Sequence, residues 1–566
     1  MRVGLTGAIA ALAMLLSVAA HGAEKVGTRL TVTTAANACE SARLDDMQTT
    51  ADGTGVFVFT PSVTKPRDLI FECGGKFSFY LSPGDDLTVR LQGKKIMFEG
   101  SGAAANRYLA APSEVSTQRF MAHVTQPWET FAPAWAQARR SDEKRLSALA
   151  DSVTSDFLVR ERARIAYQWA TGQVLFPFMH WRETDVPKLT PEGGPTTRMG
   201  DVPIEASEWS ALPEYQTFIS AYLHEQARIR MASDPALRTG DNRWLRAELA
   251  VARDLKTPSL RLEQASRVVE THVNDDGAKG MEPIWKDYLA LDPPENVRLR
   301  IEKAIADDHA QRDGHRIEVY QTVDGAALEI HVLPPTDNAH RVGATPAMLW
   351  FHGGSGTEGT WWHCPIFCKA LREKGVAVLA VELRTGNRFD TGPLEYLDDA
   401  SAAWRWAVAH ATELGIDRHR IGVAGFSSGA TLALMLATRG IDAKDGQPTQ
   451  FPAAVISMGG CANPIGPEED GWFRRRVVER GAPSDYSPID RVKAGEPPLL
   501  AVHASEDEYC SSAQMRTFVD RYQDAGNDAT LVWVPDVGHF FPYYFPPGVV
   551  QVRAALNIAL KKWGWE

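Results

Sequence analysis

Unbroken apolar runs set the pattern of the second half of the chain. Ala347–Phe351, Val376–Val381, Ala453–Ser457, Leu499–His503 and Thr530–Val534 have no polar face, and Arg420–Ala424 is a shorter run of the same kind. Such runs fit strands covered on both sides. Stretches of helical period alternate with them, one from about Leu397 to Leu414. Ahead of them Ile317–Tyr320 and Ala327–Val332 alternate in period two, and Asp324-Gly325 between them reads as a hairpin turn. Strands alternating with helices predict a doubly wound, mostly parallel sheet, whose chemistry belongs at the strands' carboxyl ends.

The first half is patterned differently. Val56–Phe59, Leu69–Cys73, Lys76–Leu81 and Leu87–Leu91 read as strands, with a turn at Pro83-Gly84-Asp85. They predict a small antiparallel sandwich over 24–112. From 113 to 314 the apolar spacing becomes helical, as in Phe218, Ala221, Tyr222 and Ala227. Helices are expected at Ser141–Thr154, Leu158–Leu175, Tyr215–Ala232, Arg243–Arg253, Arg261–Val273 and Val297–Asp308, with a loop at Pro187–Pro203. His309–Gly314 reads as the linker to a catalytic domain over 315–566.

Composition adds an address. The chain has 566 residues, 44% apolar and 23% charged, with a formal net charge of −11. That balance argues against a nucleic-acid or anionic-membrane partner. Met1-Arg2-Val3, the apolar run Ala8–Ala20 and small residues near Ala23 read as a signal peptide over 1–23. A periplasmic or secreted location follows, with no integral membrane segment expected after cleavage. The six cysteines are even in number, as disulfides in an exported chain require. Position favours the local pairs Cys39 with Cys73, Cys461 with Cys510 and Cys364 with Cys368; buried free thiols are the alternative.

Candidate chemistry falls at the strand ends. Gly425-Phe426-Ser427-Ser428-Gly429 joins the strand Arg420–Ala424 to a helical run Ala430–Ala437. Strand, Gly-x-Ser-x-Gly turn and helix make a nucleophile elbow, and the flanking glycines suit a turn with no room for Cβ atoms. After Ala347–Phe351 comes His352-Gly353-Gly354-Ser355-Gly356, whose N–H groups can turn toward an oxyanion alongside that of Ser428. Asp507 follows the strand Leu499–His503, and His539 follows Thr530–Val534. The order Ser427, Asp507, His539 is that of an α/β-hydrolase triad. Glu506 and Glu508 are rival acids, and Asp536 reads as a loop residue. His503 reads as a core group, and His352 as a support for the glycine loop. No metal-ligand spacing is found, and neither a metal nor a cofactor is expected.

The stretches Val319–Leu328, His352-Gly353-Gly354, Leu414–Ile421, Gly425–Gly429, Tyr486–Ile489, Glu496–Leu500 and Gly538–Phe541 occur together and in order. In these the C-terminal half resembles the alpha/beta-hydrolase esterases that include acetyl-xylan and feruloyl-type carbohydrate esterases. The resemblance implies an α/β-hydrolase fold and serine esterase activity on acylated carbohydrate. Ser355-Gly356 stands where that family usually has a third glycine and a tryptophan, and Ala430 where it usually has a second glycine after the elbow. Trp361, Trp362 and Trp472 are candidates for a substrate face, with packing as the alternative. Phe79–Leu87, Phe98–Gly102 and Asn106–Leu109 resemble the N-terminal domain of some exported thioredoxin-like proteins. Two other functions are carried along: a prolyl-oligopeptidase-type peptidase, for which no repeated-blade period is present, and a thioredoxin-like redox protein, for which Cys364 and Cys368 are spaced one residue too far apart.

Overall fold

The computed structural model describes residues 27–565 apart from 36–38, 40, 51–52, 94, 185–198, 337–343, 364, 390, 442–448, 467–485 and 545. The expected signal peptide lies outside them. The chain divides into two compact units. One comprises Met1–Gln173, Met199–Val202 and Ala211–Phe218; the other comprises Val174–Arg198, Pro203–Ser210 and Ile219–Glu566.

The first unit opens with eight short strands: β1 (Arg29–Thr33), β2 (Ser41–Leu44), β3 (Met47–Thr50), β4 (Val56–Phe59), β5 (Arg67–Glu72), β6 (Lys76–Leu81), β7 (Asp86–Gln92) and β8 (Lys95–Gly100). They form two sheets, ordered β4-β1-β7-β8 and β3-β2-β5-β6. Phe57 and Phe59 of β4 meet Phe71 of β5 edge-on, each at 6.1 Å, so aromatic rings from both sheets fill the core. The sandwich is not wholly antiparallel. β1 pairs with β7 in parallel, which the long excursion through β2–β6 permits. Cys39 and Cys73 form a disulfide, Cα atoms 5.6 Å apart. The helix expected at Ser141–Thr154 instead spans Trp128–Ser147.

The second unit is built on β9 (Arg316–Val323), β10 (Ala326–Leu333), β11 (Thr345–Phe351), β12 (Ala377–Val381), β13 (Ile416–Phe426), β14 (Val455–Met458), β15 (Leu499–Ala504) and β16 (Ala529–Val534). Their order is β16-β15-β14-β13-β11-β12-β10-β9. The hairpin β9–β10 is antiparallel, as is its join to β12; the other five pairings are parallel. Asp324 and Gly325 both take positive φ at its tip, 50° and 81°, as a two-residue hairpin turn demands. The apolar runs are continuous because both faces are covered. Ala347, Leu349 and Phe351 enter one core cluster, Met348 and Trp350 the other. The helix Ser428–Arg439 is buried from Gly429 to Thr438.

Two local readings differ from the structure. The segment 309–313, expected as linker, continues the helix Glu295–Asp313; Ala310, Gln311 and Arg312 are all good helix formers. Helices after Ile219, expected in a separate helical domain, belong to the unit that holds the sheet. Trp244 donates its indole N–H to Gly386 O at 3.0 Å, and Lys279 reaches Ala327 O at 2.5 Å and Glu382 at 2.8 Å.

Candidate active site

Strand register brings the expected residues to one edge. Phe351 is level with Gly425, Phe426 with Met458, Met458 with Val502 and Ala504 with Val534. The segments that leave β11, β13, β14, β15 and β16 therefore start at one edge of the sheet.

Ser427 lies between β13 and the helix Ser428–Arg439, with φ 56° and ψ −123°. A non-glycine residue rarely takes a positive φ, and here it lifts the hydroxyl out of the chain's path. Its N–H is held by Met458 O at 2.9 Å. A Cβ on Gly425 would meet Ala430 N at 2.7 Å, and one on Gly429 would meet His352 O at 2.5 Å. Both glycines are thus required by contact with backbone.

Ser427 donates its hydroxyl to His539 Nε2 at 2.8 Å. His539 Nδ1–H donates to both oxygens of Asp507, at 2.9 and 2.8 Å. His539 is buried, and its own N–H donates to Glu508 Oε2 at 3.0 Å. Asp507 Oδ1 also accepts the N–H groups of Tyr509 and Cys510 at 3.0 and 2.8 Å. Burial pushes the Asp507 carboxyl up, but the hydrogen bond and charge of His539 hold it below the usual carboxylate range. Of the rival acids, Glu508 reaches the histidine's backbone and not its ring, and the N–H of Asp536 donates to Ser505 Oγ.

Gly353 lies against the elbow: a Cβ there would be 3.2 Å from Ser427 Cβ. Gly354 has φ 111°, and its carbonyl accepts the N–H groups of Thr357 and Glu358. The loop is held by His352, whose Nδ1–H donates to Gly353 O at 2.8 Å, and by Tyr396, whose hydroxyl donates to His352 O at 2.7 Å. Burial pushes His352 down to about 4, against the pull of the Gly353 carbonyl, so its ring is neutral at pH 7. The observed contact of the ring is thus with the backbone of the loop itself. Tyr396 was not foreseen, because it sits at an ordinary core position of the helix Pro393–Ala409.

The aromatic candidates separate. Trp361 is buried in the core, and its ring stacks on His331 at 4.0 Å; it does not offer the substrate face proposed for it. Trp362 is half-buried, edge-on to Trp361 at 5.7 Å. Trp472 lies outside the described residues. Cys461 and Cys510 form a disulfide, Cα atoms 4.7 Å apart. Cys368 is disulfide-bonded as well, while Cys364, its expected partner, lies outside the described residues.

One further cluster has metal-ligand residue types. Ligand atoms of Glu329, His331 and Glu382 all lie within 4.8 Å of one another. Lys279 Nζ lies 2.8 Å from Glu382 and 3.2 Å from Glu329, Arg312 lies 2.7 Å from Glu329, and Arg388 lies 3.6 Å from Glu382. The protein's own cations answer these carboxylates, and burial pushes His331 down to about 3.

A mostly parallel sheet with a strained serine between strand and helix, and a histidine and carboxylate from later strand ends, defines an α/β hydrolase. Residues 333–522 match the BD-FAE family model, and this C-terminal region is a domain of that alpha/beta-hydrolase esterase family. Relatives include an ethyl acetate hydrolase of Pseudomonas putida, 39% identical over 122 residues, which are 21% of this chain and 36% of that protein. Esterase LipC of Mycobacterium tuberculosis is 26% identical over 315 residues, 52% of this chain and 75% of that one. The chain thus spans about a third of the first relative's length and three quarters of the second's. Among solved structures, the propionate-bound esterase Est2 of Thermogutta terrifontis is 24% identical, with a TM-score of 0.41, covering 45% of this chain and 96% of that one.

Proposed function

We propose that the protein is a serine carboxylic ester hydrolase acting on acetyl or feruloyl-type esters of carbohydrate, in the periplasm or outside the cell. The observation that carries this reading is the 2.8 Å approach of His539 Nε2 to Ser427 Oγ, with Asp507 behind the ring. Ser427 attacks the ester carbonyl as His539 takes its proton. The N–H groups of Gly353, Gly354 and Ser428 receive the oxyanion. His539 then gives the proton to the leaving alkoxide, and the acyl group stays on Ser427. Water, activated by the same imidazole, attacks the acyl-enzyme and releases the acid. Asp507 keeps the imidazole in the required tautomer and answers its charge. The disulfides support an oxidising compartment.

The test is a panel of acetyl, feruloyl and longer acyl esters, on sugars and on simple alcohols, with wild type and Ser427→Ala. Hydrolysis lost in the variant, with wild-type preference for acetyl or feruloyl sugars, is expected. Undiminished hydrolysis by Ser427→Ala would refute the nucleophile. A profile indifferent to the sugar would refute the carbohydrate assignment alone. Peptidyl-prolyl substrates and insulin reduction, run beside the esters, test the peptidase and redox alternatives.

A further inference from the structure

The acid of the candidate triad is held from behind by a covalent link. Cys510, which donates its N–H to Asp507 Oδ1 at 2.8 Å, is buried and bonded through sulfur to Cys461. Cys461 lies in the segment after β14, and its N–H donates to Thr431 Oγ1 at 2.9 Å. Thr431 stands one turn into the helix after the elbow and donates its hydroxyl to Ser427 O at 3.3 Å. The contacts close a ring. It runs from the Ser427 carbonyl through Thr431, Cys461, the disulfide, Cys510 and Asp507 to His539, and back to the Ser427 hydroxyl. His503 braces the same turn, donating Nε2–H to Cys510 O at 3.0 Å. Two residues before Cys461 lies Gly459, where a Cβ would stand 3.4 Å from His539 Cε1 and 3.5 Å from Asp507 Oδ2. The segment carrying Cys461 therefore passes directly beside the histidine–carboxylate pair.

We propose that the Cys461–Cys510 disulfide, with Thr431 at its nucleophile end, is a positioning element that fixes the Asp507 carboxylate relative to Ser427, so that turnover depends on the redox state of this one bond. The inference rests on the reading of Ser427, His539 and Asp507 as a triad. The chemistry of the switch balances simply. A dithiol attacks the Sγ–Sγ bond, two electrons and two protons leave Cys461 and Cys510 as thiols, and the dithiol closes to its own disulfide. With the bond open, the turn that presents Cys510 N–H to Asp507 loses its tie to the segment beside Ser427. A displacement of about 1 Å in a catalytic constellation costs on the order of 10²-fold in rate. Substrate contacts are untouched, so the loss belongs in kcat.

The experiment compares full-length wild type, Cys461→Ala/Cys510→Ala, Thr431→Val and Thr431→Ser on a chromogenic acetyl ester. Cys39→Ala/Cys73→Ala serves as the control for loss of a disulfide elsewhere. The expected result is a roughly 10- to 100-fold lower kcat for the Cys461/Cys510 variant, with KM within about twofold. The control pair keeps the wild-type kcat. Thr431→Val loses activity in the same sense but less, and Thr431→Ser, which keeps the hydroxyl, recovers most of it. Wild type treated with dithiothreitol loses kcat in step with alkylation of Cys461 and Cys510, followed by mass spectrometry, and regains it on reoxidation. A folded Cys461/Cys510 variant with wild-type kcat overturns the proposal, as does a loss that falls on KM alone. If that variant does not fold, the threonine pair decides: Thr431→Val with wild-type kcat overturns it. Asp507→Asn separates the two levels. An inactive Asp507→Asn beside a fully active Cys461/Cys510 variant sinks only this inference, whereas an active Asp507→Asn sinks the triad reading beneath it.

Discussion

Gly429→Ala sets two physical rules against each other. Gly429 stands in the first turn of the helix Ser428–Arg439. In a helix, alanine is favoured over glycine by about 1 kcal/mol, so propensity alone predicts a more stable chain. The surroundings predict the reverse. A Cβ at 429 would fall on Phe351 O and lie 2.5 Å from His352 O. Both atoms are backbone, and no side chain can rotate out of the way. The start of the helix and the end of β11 would have to part by about 1 Å. That gap would open between Ser428 and Gly353-Gly354, the two sides of the proposed oxyanion hole. The rate cost of such a misplacement is on the order of 10²-fold. Overpacking costs about 1–3 kcal/mol, and the propensity gain of about 1 kcal/mol offsets part of it, leaving about 0–2 kcal/mol of destabilisation. The assay is kcat/KM on an acetyl ester together with urea unfolding of both chains. A Gly429→Ala chain that is fully active and about 1 kcal/mol more stable would refute the close approach of helix and loop.

Asp507→Asn should lower kcat by about 10⁴-fold, because an amide cannot hold the imidazole in the required tautomer; Glu506→Gln and Asp536→Asn should stay near wild type in the same ester assay. Tyr396→Phe removes the hydroxyl that donates to His352 O, and should cost about 1 kcal/mol in urea unfolding with kcat lowered more than KM is changed. Lys279→Met removes the cation shared by Glu382 and Glu329 and leaves them Arg388 and Arg312, and should destabilise in urea by less than the cost of breaking a buried pair outright, about 3–5 kcal/mol. Glu496 is buried, and burial raises its carboxyl to about 7. A carboxyl with a raised folded-state value weakens the fold once pH exceeds its unfolded value of about 4.5, and fully so above 7. Glu496→Gln should therefore stabilise the chain by up to about 3 kcal/mol at pH 8 and change little at pH 4; equal unfolding curves at pH 8 would contradict this.

What the sequence disclosed was governed by how local each cause is. The five apolar runs and the Gly-x-Ser-x-Gly turn announce themselves because burial on both faces and a cramped bend each act within a few residues. Asp507 was distinguishable from Glu506 and Glu508 only through its distance past the end of a strand. The ring contact of His539 falls on it, while Glu508 takes the backbone N–H of the same residue. The linker reading of 309–314 failed for the opposite reason. Charged residues in 309–313 read as a linker, yet the helix continues to Asp313, and its buried Asp308 accepts the N–H of Ala278 at 3.0 Å. Trp361 was left open between a cleft face and packing, because it follows the glycine loop. Its stacking on His331, thirty positions earlier, has no trace in local pattern.

The same distinction bears on how the site keeps its geometry. The proposed triad takes its three members from separate strand ends and so has no local means of holding register, since each strand can shift without any neighbour in sequence objecting. The sheet supplies part of the constraint through the parallel register of β13, β14, β15 and β16. That register ends where the strands end, at Phe426, Met458, Ala504 and Val534, and Ser427, Asp507 and His539 all lie beyond it. Beyond the last ladder bond, position must be set by contacts among the loops themselves. Asp507 answers this with two backbone N–H donors and a ring, and Ser427 with a bond to Met458 O. Hydrogen bonds of this kind contribute about 1 kcal/mol each in water-accessible turns, little more than thermal energy. A covalent tie across the same gap is the interaction here that thermal motion cannot break, and it joins the segment after β14 to the turn that carries the acid.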